Sequence, residues 1–383
     1  MVIKKLSETE YEKSLQLSQY AFQYKVKEED LPRRYEMMKK QEIWGEFENE
    51  DLLSKLHILS LEINIENQRF PMGGIAGVAT WPEHRRKGSV TRLLHQALLS
   101  MKEKGQTISL LHPFNIQFYR GFGWELTASV NKYTLEKSDL VRYADLPGTV
   151  SRLKKEDGNA LLNLVYEEWF HTYNHLLVRT DDWWDNHVFT EGYDRIIYKD
   201  KEGTPKGYLC CKVSDRSMDV QEFIYLSEDA RRALWNFICQ HDSMVEKVKI
   251  IAPANDQLPY LISNPRIHQE HYPYFMARIV DVEGFLKQYP FKPYNQVMKI
   301  SITDEKADWN NGTYSIKENE ITRETESDEE TLSMDIQTLT AALLGSQKPS
   351  FLFECGKIKG NAENVVRFEQ IITNKPAAFL DFF

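Results

Sequence analysis

Apolar and polar positions along this chain alternate with a period of two in some segments and with a helical period in others. Alternation in EIWGEFEN and SKLHILSLEINIEN predicts two antiparallel strands joined across EDLL. A further strand is predicted in GGIAGVATWP, where Gly77 indicates a bulge or the close approach of another backbone. The almost continuous apolar run TISLLHP is typical of a strand that is buried on both faces.

Helical periodicity follows the GGIAGVATWP strand. Apolar residues recur at i, i+3, i+4, i+7, i+8 and i+11 from Val90, which predicts an amphipathic helix that ends at Gly105. Near the start of the chain, Ser7 and Glu10 form a capping-box pattern that predicts another helix. Strand, loop, helix and strand together predict a right-handed βαβ unit, and ASVNKYTLEK is predicted to close its sheet.

A second segment repeats this plan. VQEFIYLSEDARRALWNFIC continues to an apolar strand and a proline, as the first copy does, but its junction EDARRAL contains no glycine. The pattern then changes to that of an α+β domain, in which Asn311 and Gly312 predict a hairpin turn. The predicted domains are therefore 1–147 and 148–278, both mixed α/β, and 279–383, α+β.

Composition narrows the class of function. The chain has 57 acidic and 48 basic residues and a formal net charge of −9, which argues against nucleic acid as the main partner and is compatible with cationic substrates. No segment approaches the roughly 20 apolar residues of a membrane span, and the start does not resemble a signal peptide. Four cysteines without a CxxC pair are typical of a reduced, cytoplasmic protein.

One basic segment, PEHRRKGSVTRLL, carries the candidate chemistry. It places Arg85, Arg86 and Lys87 before Gly88 at the start of the predicted helix. A helix N-terminus has unpaired amides and carries about half a positive charge, so each basic residue there costs about 0.3–1 kcal/mol. Glycine allows an anion to approach the backbone. The segment therefore predicts a phosphate site, with a solvated helix start as the alternative, although neither GxxxxGK[ST] nor GxGxxG is present.

The pattern R-x-x-G-x-(small) in RRKGSV, after VATWP, resembles the acetyl-CoA loop of the GNAT acetyltransferases. With FYRGFGWE, the degenerate second copy, a sterol-carrier-like third domain and an aromatic C-terminus, the chain resembles the Eis (enhanced intracellular survival) family of N-acetyltransferases. The resemblance implies two tandem GNAT-like mixed-sheet domains followed by a sterol-carrier-like α+β domain. It also implies an acyltransferase that moves acetyl from acetyl-CoA to an amine by direct transfer in a ternary complex.

The resemblance implies site residues as well. Those expected to hold acetyl-CoA are Val78, Ala79, Thr80, Arg85, Arg86, Lys87, Gly88, Ser89, Val90 and Asn115. The Val78 amide would stabilise the oxyanion, and Tyr119 would protonate the departing thiolate. An aromatic side chain that only packs is the alternative for Tyr119. Because EDARRAL has Glu228 and Asp229 where the diphosphate would lie, one cofactor per chain is predicted.

The apolar tail AAFLDFF is the second unusual segment. The resemblance implies that the main-chain carboxylate of Phe383 enters the active site and helps to deprotonate the amine. A free α-carboxyl has a pKa near 3.3–3.7, so it would need desolvation or a relaying water to act as a base at neutral pH. A tail that only packs is the alternative.

The implied acceptor is a cationic amine, such as an aminoglycoside, a polyamine-like molecule or a lysine side chain, and the implied assembly is a homo-oligomer, commonly a hexamer. No metal site is predicted. His171 and His175 have a spacing that can chelate zinc, but no third ligand follows, so a surface or interface pair is favoured. Two other functions stay open: an apolar-ligand (lipid) carrier on a GNAT scaffold, and an acetyl-CoA-binding regulatory protein without turnover.

Overall fold

The computed structural model describes the whole chain except residues 145, 155–156, 189–191, 318–319 and 325–327. The strands are β1 (Val2–Lys5), β2 (Gln41–Glu48), β3 (Asp51–Ile65), β4 (Gln68–Thr80), β5 (Ile108–Leu111), β6 (Glu125–Glu136), β7 (Thr149–Leu153), β8 (Asp194–Lys199), β9 (Pro205–Ser214), β10 (Ser217–Tyr225), β11 (Lys247–Pro253), β12 (His268–Ile279), β13 (Met298–Thr303), β14 (Gly312–Lys317), β15 (Glu320–Glu324) and β16 (Leu332–Asp335). The helices are α1 (Tyr11–Phe22), α2 (Leu31–Lys39), α3 (Ser89–Glu103), α4 (Ile116–Arg120), α5 (Ala160–Phe170), α6 (Asp181–Trp183), α7 (Glu228–Cys239), α8 (Leu258–Leu261), α9 (Val282–Gln288), α10 (Ile336–Leu343), α11 (Pro349–Glu354) and α12 (Ala362–Ile371).

The first compact unit comprises Met1–Thr127, Phe275–Thr373 and Phe383. Its larger sheet has the order β1-β2-β3-β4-β5, followed by the last residues of β12. Strands β4 and β5 are parallel and α3 connects them, so the predicted strand–helix–strand unit is confirmed. A smaller sheet has the order β15-β14-β13-β16.

Helix α3 buries the apolar stripe that the periodicity predicted. Leu93, Leu94, Ala97, Leu98 and Met101 are all buried. Burial of one such large side chain is worth about 1.5–3 kcal/mol, so this stripe holds α3, and the loop that precedes it, against the sheet. The predicted capping box and C-terminal glycine are also present.

The second compact unit comprises Ala128–Tyr274 and Asn374–Phe382. Its sheet has the order β6-β11-β10-β9-β8-β7. Strands β10 and β11 are parallel and α7 connects them, which confirms the internal repeat. The compact units group the chain differently from the three predicted ranges, and those ranges stay predictions.

The strand ASVNKYTLEK does not close the first sheet as predicted. In the second unit, residues 130–136 of β6 pair antiparallel with β11. In the first unit, the strand beside β5 is β12, with Met276 opposite Leu111. Strand alternation reports which face is buried but carries no information about the neighbouring strand, and for this reason the prediction was wrong.

Asn311 and Gly312 do not form a two-residue hairpin turn either. Strands β13 and β14 are antiparallel, but the connection between them runs over residues 304–311. Asp304 organises this loop: its carboxylate accepts the Ala307 amide at 3.1 Å, and its own amide donates to Asn311 Oδ1 at 2.6 Å. Such side-chain hydrogen bonds to the backbone stabilise a longer loop.

The described part of the chain contains no helix with the length and apolar character that a membrane crossing requires.

Candidate active site

The end of β4 is open on the side of β5. The parallel ladder stops at Ile75 opposite Leu111, although β4 continues to Thr80. On its other side β4 pairs with β3, with a bulge near Gly77, whose φ of +55° confirms the predicted irregularity. An extended ligand can pair with such an open strand edge. The predicted cofactor residues on this stretch are Val78, which is half-buried, and Ala79 and Thr80, which are buried.

The loop after β4 contains two left-handed residues just before α3. Arg86 has φ +61° and Gly88 has φ +80°. Amides in a loop of this kind converge into a concave anion-binding nest. The first hydrogen bond of α3 is donated by the Arg92 amide to the Gly88 carbonyl at 3.1 Å, so the amides of residues 89–91 have no partner within the helix.

The positive charge of this loop is not neutralised by the described part of the protein. Arg85, Arg86 and Lys87 are exposed, and none of them forms an ion pair with a described residue. Arg85 Nε donates to the Thr80 carbonyl at 3.3 Å, which ties the loop to the end of β4. Three unpaired cations at a helix N-terminus favour an external anion. The geometry thus supports the anion-site interpretation over a plain solvated start.

Tyr119 lies in an aromatic cage on α4. Its ring is 2% exposed and is surrounded by Phe114, Phe118 and Trp124, at centroid distances of 5.4, 5.2 and 6.3 Å. Burial raises the pKa of the phenol above its ordinary value. The hydroxyl makes no hydrogen bond to any described residue, so its proton is available to a ligand. Val78 packs against the same apolar cluster as Tyr119, which places the two predicted catalytic groups in one region.

Asn115 holds the start of α4. Its Oδ1 accepts the Phe118 amide at 2.9 Å, which makes Asn115 the N-cap of this helix. Such a cap is worth about 1 kcal/mol, so Asn115 supports the helix that carries Tyr119. Its predicted contact with the cofactor stays a prediction.

The ring of Phe383 lies directly on Gly74 of β4. An ideal Cβ at Gly74 would be 2.8 Å from Cε2 of this ring. The ring also meets Phe275 edge-on, with centroids 5.1 Å apart. The sequence analysis missed Gly74. A glycine pair in a strand signals a close approach, but it does not say of what, and the neighbouring Gly73 faces the sulfur of Met101 instead.

If the predicted role of the Phe383 carboxylate is correct, we expect Gly74→Ala to displace the Phe383 ring and lower kcat about tenfold, because a shift of about 1 Å in a catalytic group can cost up to 10²-fold. Steady-state kinetics with Gly74→Ala, Phe383→Ala and the double variant measure this. If the alanine acts through the ring, Gly74→Ala adds nothing to the loss caused by Phe383→Ala. Additive losses would show that Gly74 acts in another way.

In the second copy, side chains of the protein itself occupy the equivalent helix start. The Ser227 hydroxyl caps α7 by accepting the Ala230 amide at 3.2 Å. Glu228, the first residue of α7, accepts hydrogen bonds from Arg231 and Arg232 at 2.7 Å. The hydrogen bond from Arg231 lowers the pKa of Glu228 to about 2. A fixed carboxylate at this position disfavours a bound diphosphate, which supports the prediction of one cofactor per chain.

His171 and His175 do not form a surface pair. Helix α5 ends at Phe170, so the two histidines do not share a helix face. His175 is buried, and burial lowers its pKa to about 3, whereas His171 is exposed. The predicted surface interpretation is wrong for His175, because the chain turns inward after α5. No cluster of three or more metal-ligating side chains occurs among the residues that the structure describes.

Comparison with known families divides the chain into three matches. An acetyltransferase (GNAT) domain matches residues 2–127, and a second family with the same description matches residues 176–279. A sterol carrier protein domain matches residues 282–380. The two GNAT matches correspond to the two strand–helix–strand copies.

Individual relatives are named as N-acetyltransferases. The chain is 25% identical over 210 residues to the N-acetyltransferase Eis of Mycobacterium tuberculosis (51% of this chain, 52% of that protein). It is 22% identical over 263 residues to an uncharacterised N-acetyltransferase of Streptomyces avermitilis (62% and 63%). The matched region thus spans between half and two thirds of these curated relatives.

Solved structures match over the full length. A probable N-acyltransferase from Enterococcus faecalis V583 has a TM-score of 0.95 and 28% identity, covering 100% of this chain and 99% of the other. Eis1 from Mycobacterium abscessus has a TM-score of 0.80 and 18% identity, covering 100% of this chain and 100% of the other, which shows a shared fold.

Proposed function

We propose that this chain belongs to the Eis-like family of GNAT N-acetyltransferases. On that premise, it transfers an acetyl group from acetyl-CoA to an amine of a cationic small molecule or a lysine side chain. One observation carries the proposal. The end of β4, which has no partner on the side of β5, continues through a short loop to the glycine-led start of α3, where three basic residues have no ion-pair partner among the described residues. This combination suits a ligand with an extended arm and a diphosphate.

The first copy fits acetyl-CoA at both of these places. Residues 85–90 would bind the diphosphate through backbone amides and positive charge, and residues 78–80 would pair with the pantetheine arm. When bound, acetyl-CoA supplies the activated acyl group as a thioester. No equivalent fit exists at α7, where Glu228 lies at the helix start.

The reaction then needs three contributions from the chain. The Val78 amide would hold the carbonyl oxygen as it becomes negative. Tyr119 would donate its phenol proton to the departing sulfur, a role that its unbonded hydroxyl supports. The Phe383 carboxylate would accept the proton of the amine, directly or through water. The role of this carboxylate as a base stays a prediction. The contact of the Phe383 ring with Gly74 supports only the position of Phe383 beside β4.

The proposal for the acceptor rests on the net charge of the chain and on its family resemblance. The net charge of −9 is compatible with a cationic molecule, and the resemblance suggests an aminoglycoside or a polyamine-like compound. A homo-oligomeric state and a cytoplasmic location belong to the same proposal. The first is carried over from the resemblance, and the second rests on four cysteines that form no disulfide.

The test measures thiol release from acetyl-CoA with aminoglycosides, polyamines and lysine-containing peptides, alongside calorimetry with coenzyme A. We expect thiol release with at least one amine of the panel. We expect calorimetry to show one molecule of coenzyme A bound per chain. Gly88→Val should abolish binding, because valine strongly disfavours a φ of +80° and its Cβ would lie 3.0 Å from Arg92.

Three other results would contradict the proposal. Binding without turnover across the panel would favour an acetyl-CoA-binding regulatory protein. A co-purified lipid with no affinity for coenzyme A would favour an apolar-ligand carrier. Two equivalent binding sites per chain would overturn the assignment of the second copy.

A further inference from the structure

Arg92 and Glu46 together hold the backbone just before Gly88. Arg92, in the first turn of α3, donates from Nε to Oε1 of Glu46 at 2.8 Å, and its Nη2 lies 2.7 Å from the same oxygen. Its Nη1 donates to the Lys87 carbonyl at 3.1 Å. Glu46, on β2, is 1% exposed, so the guanidinium is anchored on a buried carboxylate. A hydrogen-bonded ion pair with one buried partner is well fixed in direction.

This anchor determines which way the loop amide points. The peptide between Lys87 and Gly88 is planar and trans, so its C=O and N–H groups point in opposite directions. Because Arg92 holds the carbonyl, the Gly88 N–H is directed away from the guanidinium. Glycine at 88 serves this contact as well as the turn, since an ideal Cβ there would lie 3.0 Å from Arg92 Nη1.

The second copy shows the opposite arrangement at the same helix position. Arg231 is the fourth residue of α7, as Arg92 is the fourth residue of α3. Arg231 donates from Nε and Nη2 to Glu228, the first residue of its own helix, both at 2.7 Å. In α3 the first residue is Ser89, whose hydroxyl accepts a hydrogen bond from Arg92 Nη2 at 3.5 Å, and the carboxylate that binds the arginine lies on β2 instead. The same arginine position therefore accompanies an open helix start in one copy and a carboxylate-filled start in the other.

We propose that Glu46 and Arg92 form a brace that keeps the start of α3 open and aims the Gly88 amide at the diphosphate of acetyl-CoA. Arg92 is thus a positioning residue that acts through the Lys87–Gly88 peptide. This inference rests on the proposed function, because it concerns the same cofactor site. It assigns part of the affinity for acetyl-CoA to a strand residue that lies outside the R-x-x-G-x-(small) motif.

The test compares Arg92→Met, Glu46→Leu and the double variant by calorimetry with coenzyme A and by steady-state kinetics. Each single change should raise the Kd for coenzyme A roughly tenfold, as expected when a charged hydrogen bond that orients a binding group is lost. The double variant should bind no worse than either single variant, because both act through one contact. The KM for acetyl-CoA should rise, whereas kcat at saturation and the KM for the amine should stay within about twofold.

A matched control and the folding behaviour separate positioning from stability. Arg69→Met removes an arginine whose pairing with Glu62 is exposed and 4.0 Å long, and it should leave the Kd unchanged. Arg92→Met leaves a buried carboxylate unpaired, but the double variant has an apolar pair and keeps the test valid if the single variant unfolds.

Two results would overturn the brace. The first is a wild-type Kd in folded variants that have a lower Tm, and the second is additive losses in the double variant. If the wild-type protein itself binds no coenzyme A, the proposed function fails, and the brace fails with it. If the wild-type protein binds coenzyme A and the variants bind it equally well, the brace is contradicted and the proposed function is not.

Discussion

Replacing Tyr119 with phenylalanine is expected to lower kcat by about 10²-fold and to leave folding intact. The ring is buried among aromatic side chains, and its hydroxyl binds no described residue, so the substitution keeps the packing. Under the proposed mechanism, the substitution removes the proton donor for the departing sulfur. Because that interaction belongs to the transition state, the KM for acetyl-CoA should change little. Thiol release at saturating substrates measures the effect.

The pH dependence provides a second check of Tyr119. Burial raises the pKa of its phenol above the ordinary value of about 10, so the acid keeps its proton at every pH below that value. No decline in kcat below pH ~9 should therefore come from Tyr119. Tyr260→Phe, at a tyrosine that is 87% exposed, is the matched control and should have normal activity. Unchanged turnover in Tyr119→Phe would leave Tyr119 as a packing residue only.

Arg179→Met is expected to lower the free energy of unfolding by about 3–5 kcal/mol, the usual cost of breaking a buried ion pair from one side. Within the second unit, Arg179 donates from Nε to Asp381 at 3.0 Å and from Nη1 to Glu222 at 3.2 Å. All three side chains are buried. Methionine would leave two buried carboxylates without the guanidinium that now pairs with them. Denaturant titration followed by tryptophan fluorescence measures the change.

The loss of stability in this variant should depend on pH. Burial already raises the pKa of Asp381 in the intact protein, and removing the guanidinium raises it further. A carboxyl whose folded pKa lies above its unfolded pKa destabilises the fold at higher pH and ceases to do so as it protonates. The deficit should therefore shrink as the pH falls from 7 towards 5. Arg152→Met, which removes a half-exposed pair with Asp194, should cost less than about 1 kcal/mol at any pH.

A loss below about 1 kcal/mol in Arg179→Met, equal to that of the Arg152 control, would mean that water or a neighbouring group compensates for the missing guanidinium. A deficit that grows as the pH falls would contradict the pKa argument.

Much of the candidate site could be predicted from the sequence because its signals are local. The apolar stripe of α3 follows from helical spacing, and Gly105 ends that helix because glycine tolerates a positive φ. Gly88 was predicted from its place before α3, where a residue without a Cβ lets an anion approach the backbone. The bulge at Gly77 and the short helix that carries Tyr119 were also within reach of local patterns.

Other features of the structure required contacts between residues that are far apart in the chain. Gly74 receives the Phe383 ring, and Glu46 holds Arg92, which is 46 residues away. Asp381 and Glu222 share one arginine. The periodicity of the sequence does not identify these partners, because it indicates whether a position is buried but not which residue contacts it.

The sequence by itself therefore determined helices α1, α3 and α7, the two strand–helix–strand copies and the glycine-led loop, because short-range sterics, capping and amphipathic spacing specify them. Only the tertiary structure decided which strand lies beside β5, what rests on Gly74 and which carboxylate binds each arginine. Alternation specifies the buried face of a strand but not its neighbour. An ion pair depends on distances that only the folded chain sets.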